Sequence, residues 1–454
     1  MQWIDIDMYQ TNNILRTNPK AGDRIPGASV GTVPVIRIYG VNEKGNSIVM
    51  HVHGFTPYFY VQAPPGFKES HTAAFRVALD NQVRNNARGV KVPMYILGVS
   101  VCEKQSIWGY NDKKSTFLKI YTALPNFVAT ARNILQNGFE VPGTIPRREY
   151  LCYESSTPFV LRFMIDKDIV GCNWLELPAG SYSVRRDTPS PKDQFSRTSL
   201  CQAEIDVVCN NIISHAPEGE WMKQAPFRIL SFDIECQGRH GFFPDAEQDP
   251  VIQIANIVTV QGEKQSFVRA LSLSLYLHLY SNTHTQTVQV RNIFMLGGSL
   301  PISGAEIFSF KDEKQLLLKW SEFLREVDAD ILTGYNIANF DIPYLLNRAK
   351  TLKILDKFSM WGRIRNQCAR MKETTFSSSA YGNRNSIQTT IQGRCIFDLI
   401  VYMRREHKLS SYSLNAVSAH FLKQQKEDVH HSIISDLQRG DDADRRRLAV
   451  YVWS

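Results

Sequence analysis

The sequence predicts an α/β protein of two or three domains, and three observations carry that reading. The chain has 454 residues, more than one hydrophobic core ordinarily organises. Up to a boundary near Gln224-Ala225-Pro226 it reads as short strands and turns with a few helices. From Phe227 onward, strands alternate with helices, the pattern of an α/β fold. The expected division is therefore 1–225 and 226–454.

In the first portion, "VPVIRIYGVNEKGNSIVMHVHGFTPYFYVQAPPGF" holds three strand-like runs. Asn42-Glu43-Lys44-Gly45 reads as a hairpin turn and Pro64-Pro65-Gly66 as a stop. Phe55, Tyr58, Phe59 and Tyr60 suit either base stacking or core packing, and packing is the commoner use. "STPFVLRFMIDKDIVGCNWLELP" supplies a strand, a short helix and a buried Trp174. The polar, proline-bearing stretch 187–199 reads as a loop.

In the second portion the clearest helix lies in "KDEKQLLLKWSEFLREV", where Leu316, Leu317, Trp320, Phe323, Leu324 and Val327 form one apolar stripe. It ends at Asp328-Ala329-Asp330, "ILTGY" follows as a strand, and Pro343 sits in the first turn of the next helix. "LSLSLYLHLYSNTHTQTVQV" alternates strictly, formally a half-buried strand, but its low complexity sets it apart.

Bulk composition narrows the class. Hydrophobic residues at 43% and charged residues at 21% are ordinary for a soluble globular chain. A net charge of +8 suits an anionic partner without requiring one. The densest cationic run, Arg445-Arg446-Arg447, follows Asp441, Asp442 and Asp444 and reads as a solvated helix face rather than a phosphate grip. The eight cysteines are scattered with no C-x-x-C pair, which argues against structural zinc and a disulfide scaffold and for a reducing compartment. The start "MQWIDIDMYQ" lacks the features of a signal peptide. No apolar stretch reaches the ~18 residues of a membrane span. A soluble intracellular protein is expected.

The chemistry centres on "RILSFDIECQ", residues 228–237, a core strand that carries Asp233 and Glu235 at its end. Residues i and i+2 of a strand share a face, with Cα atoms about 6.5–7 Å apart. Two converging carboxylates are costly to ionise without cations, and oxygen-only donors suit Mg²⁺ or Mn²⁺ better than zinc. Two such ions roughly 3.5–4 Å apart are a device for in-line attack of water on a phosphodiester. A D-x-E pair alone fits solvent-facing acids equally well. Asp341, after "LTGYNIANF", is a third candidate ligand or a helix cap. Asp398 in "CIFDLI" is an equal candidate, and spacing does not choose between them.

"FDIEC", "GYNIANFD" and the closing "RRRLAVY" resemble the three exonuclease motifs of the B-family DNA polymerases. Within that family, "LSFDIECQGRHGFFPDAEQDPVIQI", "DIVGCNWLELPAG" and "REHKLSSYSLNAVSAHFLKQQKEDVHHSIISDLQ" are similar to the delta-type catalytic subunits, over nearly the whole chain. The resemblance implies an α+β N-terminal domain followed by an RNase H-like 3′–5′ proofreading exonuclease domain, a mixed sheet flanked by helices. Carried over by position, it implies Asp233, Glu235 and Asp341 as ligands of two Mg²⁺ or Mn²⁺ ions, with Glu235 also positioning the attacking water. Tyr451 would hydrogen-bond that water, and Asn336 and Phe340 would contact the frayed 3′ end of DNA. Asp398 matches no catalytic position, which favours a structural role. Implied partners are the DNA primer end, accessory polymerase subunits and a sliding clamp, and the implied location is the nucleus.

Two departures qualify that implication. The family's third motif ends in an acid four positions after its tyrosine, one position past Ser454, and the palm, fingers, thumb and C-terminal iron–sulfur and zinc modules do not appear in this sequence. Neither polymerisation nor efficient proofreading is therefore expected of these 454 residues alone. Residues 270–291 have no counterpart in the family pattern and are expected outside the core. The alternative, from another class, is a non-catalytic fragment that binds nucleic acid or a partner through an incomplete metal site. A ribonuclease or repair exonuclease is disfavoured because residues 1–225 share the resemblance.

Overall fold

The computed structural model describes residues 1–12, 31–105, 114–188, 196–262, 290–378, 382–424 and 431–453. Residues 270–289 of the low-complexity segment and 189–195 of the polar stretch lie outside them, while Val290 and Arg291 already belong to a strand.

The first portion contains two large sheets and a two-stranded ribbon of Phe139–Val141 with Ile145–Arg148. One has seven strands in the order Tyr182–Val184, Ala203–Val208, Ser47–His53, Thr32–Val41, Gln2–Asn12, Trp174–Glu176, Ile213–His215. The other has four, Ile96–Gln105, Lys114–Thr122, Tyr58–Gln62 and Cys152–Tyr153, with helices Thr72–Asn86 and Pro125–Gln136 packed on one face. Strand alternation divides the aromatic run between faces. Phe59 joins the core under the helices, and Tyr58 and Tyr60 are buried with Phe117 on the opposite side. Lys119 Nζ lies 3.7 Å from the Tyr58 ring centroid, and Phe55 packs on Phe159 and Phe163. All four aromatics are engaged in packing, and they leave no open stacking platform.

The second portion is built on strands β1 (Arg228–Cys236), β2 (Val251–Val260), β3 (Val290–Leu296), β4 (Glu306–Phe310), β5 (Ile331–Gly334) and β6 (Cys395–Asp398). They form one mixed sheet in the order β4-β3-β2-β1-β5-β6. β1 pairs antiparallel with β2 and parallel with β5, which is parallel to β6. Besides a single turn at Leu355–Phe358, its helices are α1 (Glu313–Val327), α2 (Asp341–Thr351), α3 (Leu399–Glu406), α4 (Leu414–Phe421), α5 (His431–Arg439) and α6 (Asp442–Trp453).

The apolar stripe of α1 packs on one face of the sheet with Leu230, Phe232, Ile234 and residues of α2. Asp312 caps its N-terminus by accepting from the Gln315 amide at 3.2 Å, and Asp328, in the left-handed region at φ +50°, ends it. On the other face, Leu437, Leu448, Ala449 and Val452 of α5 and α6 pack on Ile252, Ala255, Ile293 and Met295. The sheet is thus covered on both sides, and Asp233 and Glu235 face the α5–α6 side.

The closing arginines form the solvated face that the charge pattern suggests only in part: Arg446 and Arg447 are exposed, and Arg445 is not. Arg445 is partly buried and donates through Nε to Gly298 O at 2.6 Å and through Nη1 to Gly440 O at 2.6 Å. Arg446 Nε donates to Pro301 O at 3.1 Å. Loop carbonyls, invisible in a charge count, recruit both. Among the described residues no helix is long and apolar enough to cross a membrane.

The two portions meet through a buried polar network. Arg363, fully buried, donates to Asp328, Asp330 and Gly393 O, while its own carbonyl accepts from the Leu200 amide at 2.7 Å. Burial would raise the Asp328 carboxyl, but Arg363 and Arg394 outweigh it and hold it below the usual range. Gly393, at φ +79°, donates to Asp5 Oδ2 at 2.8 Å, and a Cβ there would meet the Tyr39 ring at 2.7 Å. Replacing Arg363 by Met would leave two buried acids short of a partner. The expected loss is about 3–5 kcal/mol, the usual result of removing one member of a buried pair, read as a lower urea midpoint for the whole chain.

Candidate active site

β1 alternates buried and partly exposed residues, so Leu230, Phe232, Ile234 and Cys236 fill the core and Ser231, Asp233 and Glu235 face the other way. Its parallel pairing with β5 covers only Ile229 to Ser231 against Ile331 to Thr333. There the chain turns away at Gly334, where a Cβ would lie 2.7 Å from Phe232 O and 2.5 Å from Ile337. A glycine is what lets β5 approach β1 so closely before leaving it.

The split in the sheet exposes the next β1 amide, and Asp341 takes it. Asp341 opens α2, and its Oδ1 accepts from the Ile234 N–H at 3.2 Å. The side chain therefore stands where a further strand residue would have continued the ladder. Burial first, and then the charge of Asp233, push the Asp341 carboxyl well above the usual range. An acid in this position is expensive to ionise unless positive charge joins it.

A cavity of about 410 Å³ opens over this end of β1. Asp233, Glu235, Phe340 and Tyr451 all line it. Asp341 lies beneath, against Ile234, and Asn336 is not in the lining. Asn336 holds the left-handed region at φ +66° in the loop between β5 and α2. Asp398, the other acid, sits at the end of β6 and accepts from backbone amides rather than facing the cavity.

The loop after β1 forms one wall. Ser435 Oγ donates to Gly238 O at 2.6 Å, and Arg239 pairs with Asp249 at 3.3 Å. Tyr344 donates to Asp249 O at 2.8 Å, and the buried Arg348–Glu313 pair is bidentate at 2.9 and 2.8 Å. Phe243, 73% exposed, meets Phe340 edge-on at 5.5 Å. Ser413, Leu414, Asn415 and Arg439 complete the opposite side. Motif reasoning did not single out these last residues or Phe243. No spacing rule marks a wall residue, and only their contact with the cavity does.

Fit to a divalent cation can be judged from the donors. Asp233, Glu235 and Asp341 offer oxygen alone, the set preferred by Mg²⁺ or Mn²⁺. Asp233 raises the proton affinity of Asp341, so a cation that neutralised both would be favoured. As the side chains stand, no group of three or more His, Cys, Asp or Glu is arranged to hold a metal among the described residues. The fit is one of donor type and charge.

Comparison with known proteins bears on the same region. The family described as DNA polymerase family B, exonuclease domain, matches residues 150–417. A second, DNA polymerase delta catalytic subunit-like, N-terminal domain, matches residues 54–129. A DNA polymerase delta catalytic subunit of Arabidopsis thaliana is 48% identical over 451 residues, covering 99% of this chain and 38% of the relative. Those of Drosophila melanogaster and Schizosaccharomyces pombe are 48% and 45% identical, over 94% and 93% of this chain and 37% and 36% of theirs. The chain thus spans well under half the length of these relatives. The family B DNA polymerase of the archaeon Pyrobaculum calidifontis shares the fold, with a TM-score of 0.58 at 21% identity, covering 100% of this chain and 44% of that one.

The raised Asp341 carboxyl has a consequence for stability. The folded chain holds this proton more tightly than the unfolded one, so stability falls as pH rises from about 3.9 through the raised folded value. The loss is complete above that value. Asp341→Asn keeps an oxygen for the Ile234 amide and removes the charge. In EDTA it should melt higher than the parent at pH 7.5, with a difference that shrinks toward pH 4. Scanning calorimetry across that range checks it, and equal melting temperatures at pH 7.5 would contradict it.

Proposed function

The chain belongs to the family-B DNA polymerases through their exonuclease domain, and on that premise we propose that its cavity takes the single-stranded 3′ end of DNA and supports hydrolysis of the terminal phosphodiester. The observation that carries this reading is the bond from Ile234 N–H to Asp341, which gathers a third carboxylate beside Asp233 at the open edge of β1. Asp233, Glu235 and Asp341 would hold the divalent cations. Bound there, Mg²⁺ or Mn²⁺ supplies Lewis acidity and neutralises charge in attack of water on a phosphodiester.

The chain's own groups do the rest. Glu235, partly exposed at the cavity floor, accepts a hydrogen bond from water and orients it, with the Tyr451 hydroxyl on the facing helix as second partner. Phe243 and Phe340 present ring faces and edges on which an unpaired terminal base stacks. Arg239 and Arg439 place positive charge at the rim, where the phosphates of the strand pass. Asn336 contributes from the loop behind Phe340. In the full-length setting we assign the chain to proofreading within a replicative polymerase in the nucleus, with accessory subunits and a sliding clamp as partners. Family membership and the delta-type relatives support this.

A non-catalytic DNA- or partner-binding role is favoured only by the open arrangement of the three acids. Release of mononucleotides from a 3′-labelled single-stranded oligonucleotide separates the two, measured in Mg²⁺ on a longer chain carrying the complete third motif. Asp233→Ala with Glu235→Ala should lower the rate by about 10³-fold or more, equivalent to ~4 kcal/mol of barrier, with the fold still cooperative. An unchanged rate in the double variant would refute the assignment.

A further inference from the structure

We propose that Asp398 is the positioning residue of this site: its carboxylate holds the loop between β5 and α2 in the conformation that presents Asn336, Phe340 and Asp341. The proposal rests on the reading that the cavity binds a 3′ end.

Asp398 closes β6 and is buried. Its Oδ1 accepts from the amides of Asn336 at 2.8 Å and Ile400 at 3.1 Å, and its Oδ2 from the amide of Ala338 at 3.0 Å. One of these bonds caps α3; the other two reach across to a loop that is about 60 residues earlier in the chain. That loop needs an external hold. Asn336 lies at φ +66°, in the left-handed region that Asn enters more readily than most residues, and its amide and that of Ala338, outside any strand, find their acceptor in Asp398.

The conformation fixed at Asn336 is passed directly to the site. Asn336 O accepts from the amides of Asn339 at 3.2 Å and Phe340 at 3.0 Å, which sets the entry to α2 and so the place of Asp341. Flanking bonds brace the same frame. Thr333 Oγ1 donates to Phe397 O at 2.7 Å, and Tyr335 donates to Tyr412 O, just before the Ser413-Leu414-Asn415 wall. Asp398 is thus the anchor through which β6 aligns the loop, and Tyr335 of that loop carries the alignment on to the cavity wall. It touches neither the cavity nor, on this reading, the DNA.

Three variants of the 454-residue chain test this in EDTA, so that no metal chemistry enters. The readouts are the dissociation constant for a fluorescein-labelled single-stranded oligonucleotide, amide hydrogen exchange at Asn336 and Ala338, and the melting temperature. Asp398→Ser keeps a helix cap but is too short to bridge to the loop. It should accelerate exchange at both amides and weaken binding about tenfold, the scale of one lost hydrogen bond to a charged group. Asp398→Asn keeps Oδ1 for Asn336 and Ile400 but turns an NH₂ on the Ala338 amide. It should accelerate exchange at Ala338 alone, with a smaller loss of binding.

Phe340→Ala removes a stacking group and should weaken binding without changing exchange at Asn336. If Asp398→Ser lowers only the melting temperature, with exchange and binding as in the parent while Phe340→Ala binds weakly, Asp398 is a helix cap and the proposal is overturned. If Phe340→Ala also binds normally, the DNA-end reading fails and takes the positioning role with it.

Discussion

The whole arrangement turns on a buried carboxylate placed beside another. Asp341 stands where the β1–β5 ladder breaks, accepts the orphaned Ile234 amide and lies close enough to Asp233 for that charge to raise its proton affinity. A lone structural acid would not be put there, since burying two neighbouring negative charges opposes folding. On the proposed reading, a cation bound between the two carboxylates would offset that cost. The remainder of the fold can be understood as the frame that holds this unfavourable pair in place.

That frame is rigid for identifiable reasons. Ile234 is locked into the core between β1 and α1, so the amide that Asp341 accepts cannot drift. The Glu313–Arg348 pair ties the start of α1 to α2 and, through Glu313 Oε1 and the Val251 amide at 2.8 Å, to β2. Arg363 and Arg394 clamp the turn at Asp328 and Asp330, and the Arg363 carbonyl and Gly393 amide join that cluster to Leu200 and Asp5 of the first portion. Strands and helices therefore carry the acids, while the aromatic and cationic wall residues sit on loops and helix ends, where on the proposed reading a strand of DNA would lie.

Much of the frame was legible in the sequence. The alternation of β1 placed Asp233 and Glu235 on one face, and the stripe of α1 named the residues that cover the other. The decision between Asp341 and Asp398 was not legible from spacing, because both are acids at strand–helix junctions. Which of them lies beside Asp233 depends on where the β1–β5 ladder stops, a tertiary fact, and only the family resemblance favoured Asp341. Asn336 was named, but its left-handed backbone and its tether to Asp398 link residues far apart in the chain. Arg445 departs from the charge pattern for a related reason, since one of its acceptors, Gly298 O, belongs to a distant loop. Phe243 and Arg439 carried no pattern at all.

The most direct measurement is binding of Mn²⁺ to the 454-residue chain at pH 7.5, followed by electron paramagnetic resonance and compared with Asp341→Asn. Resonance counts free ion and so reads occupancy without any turnover. The account predicts saturable binding by the parent chain and a clear loss of affinity when Asp341 loses its charge, even though that variant retains the bond to Ile234. Equal Mn²⁺ affinity in the two chains would contradict it, and would mean that Asp341 is held beside Asp233 for some reason other than a shared cation.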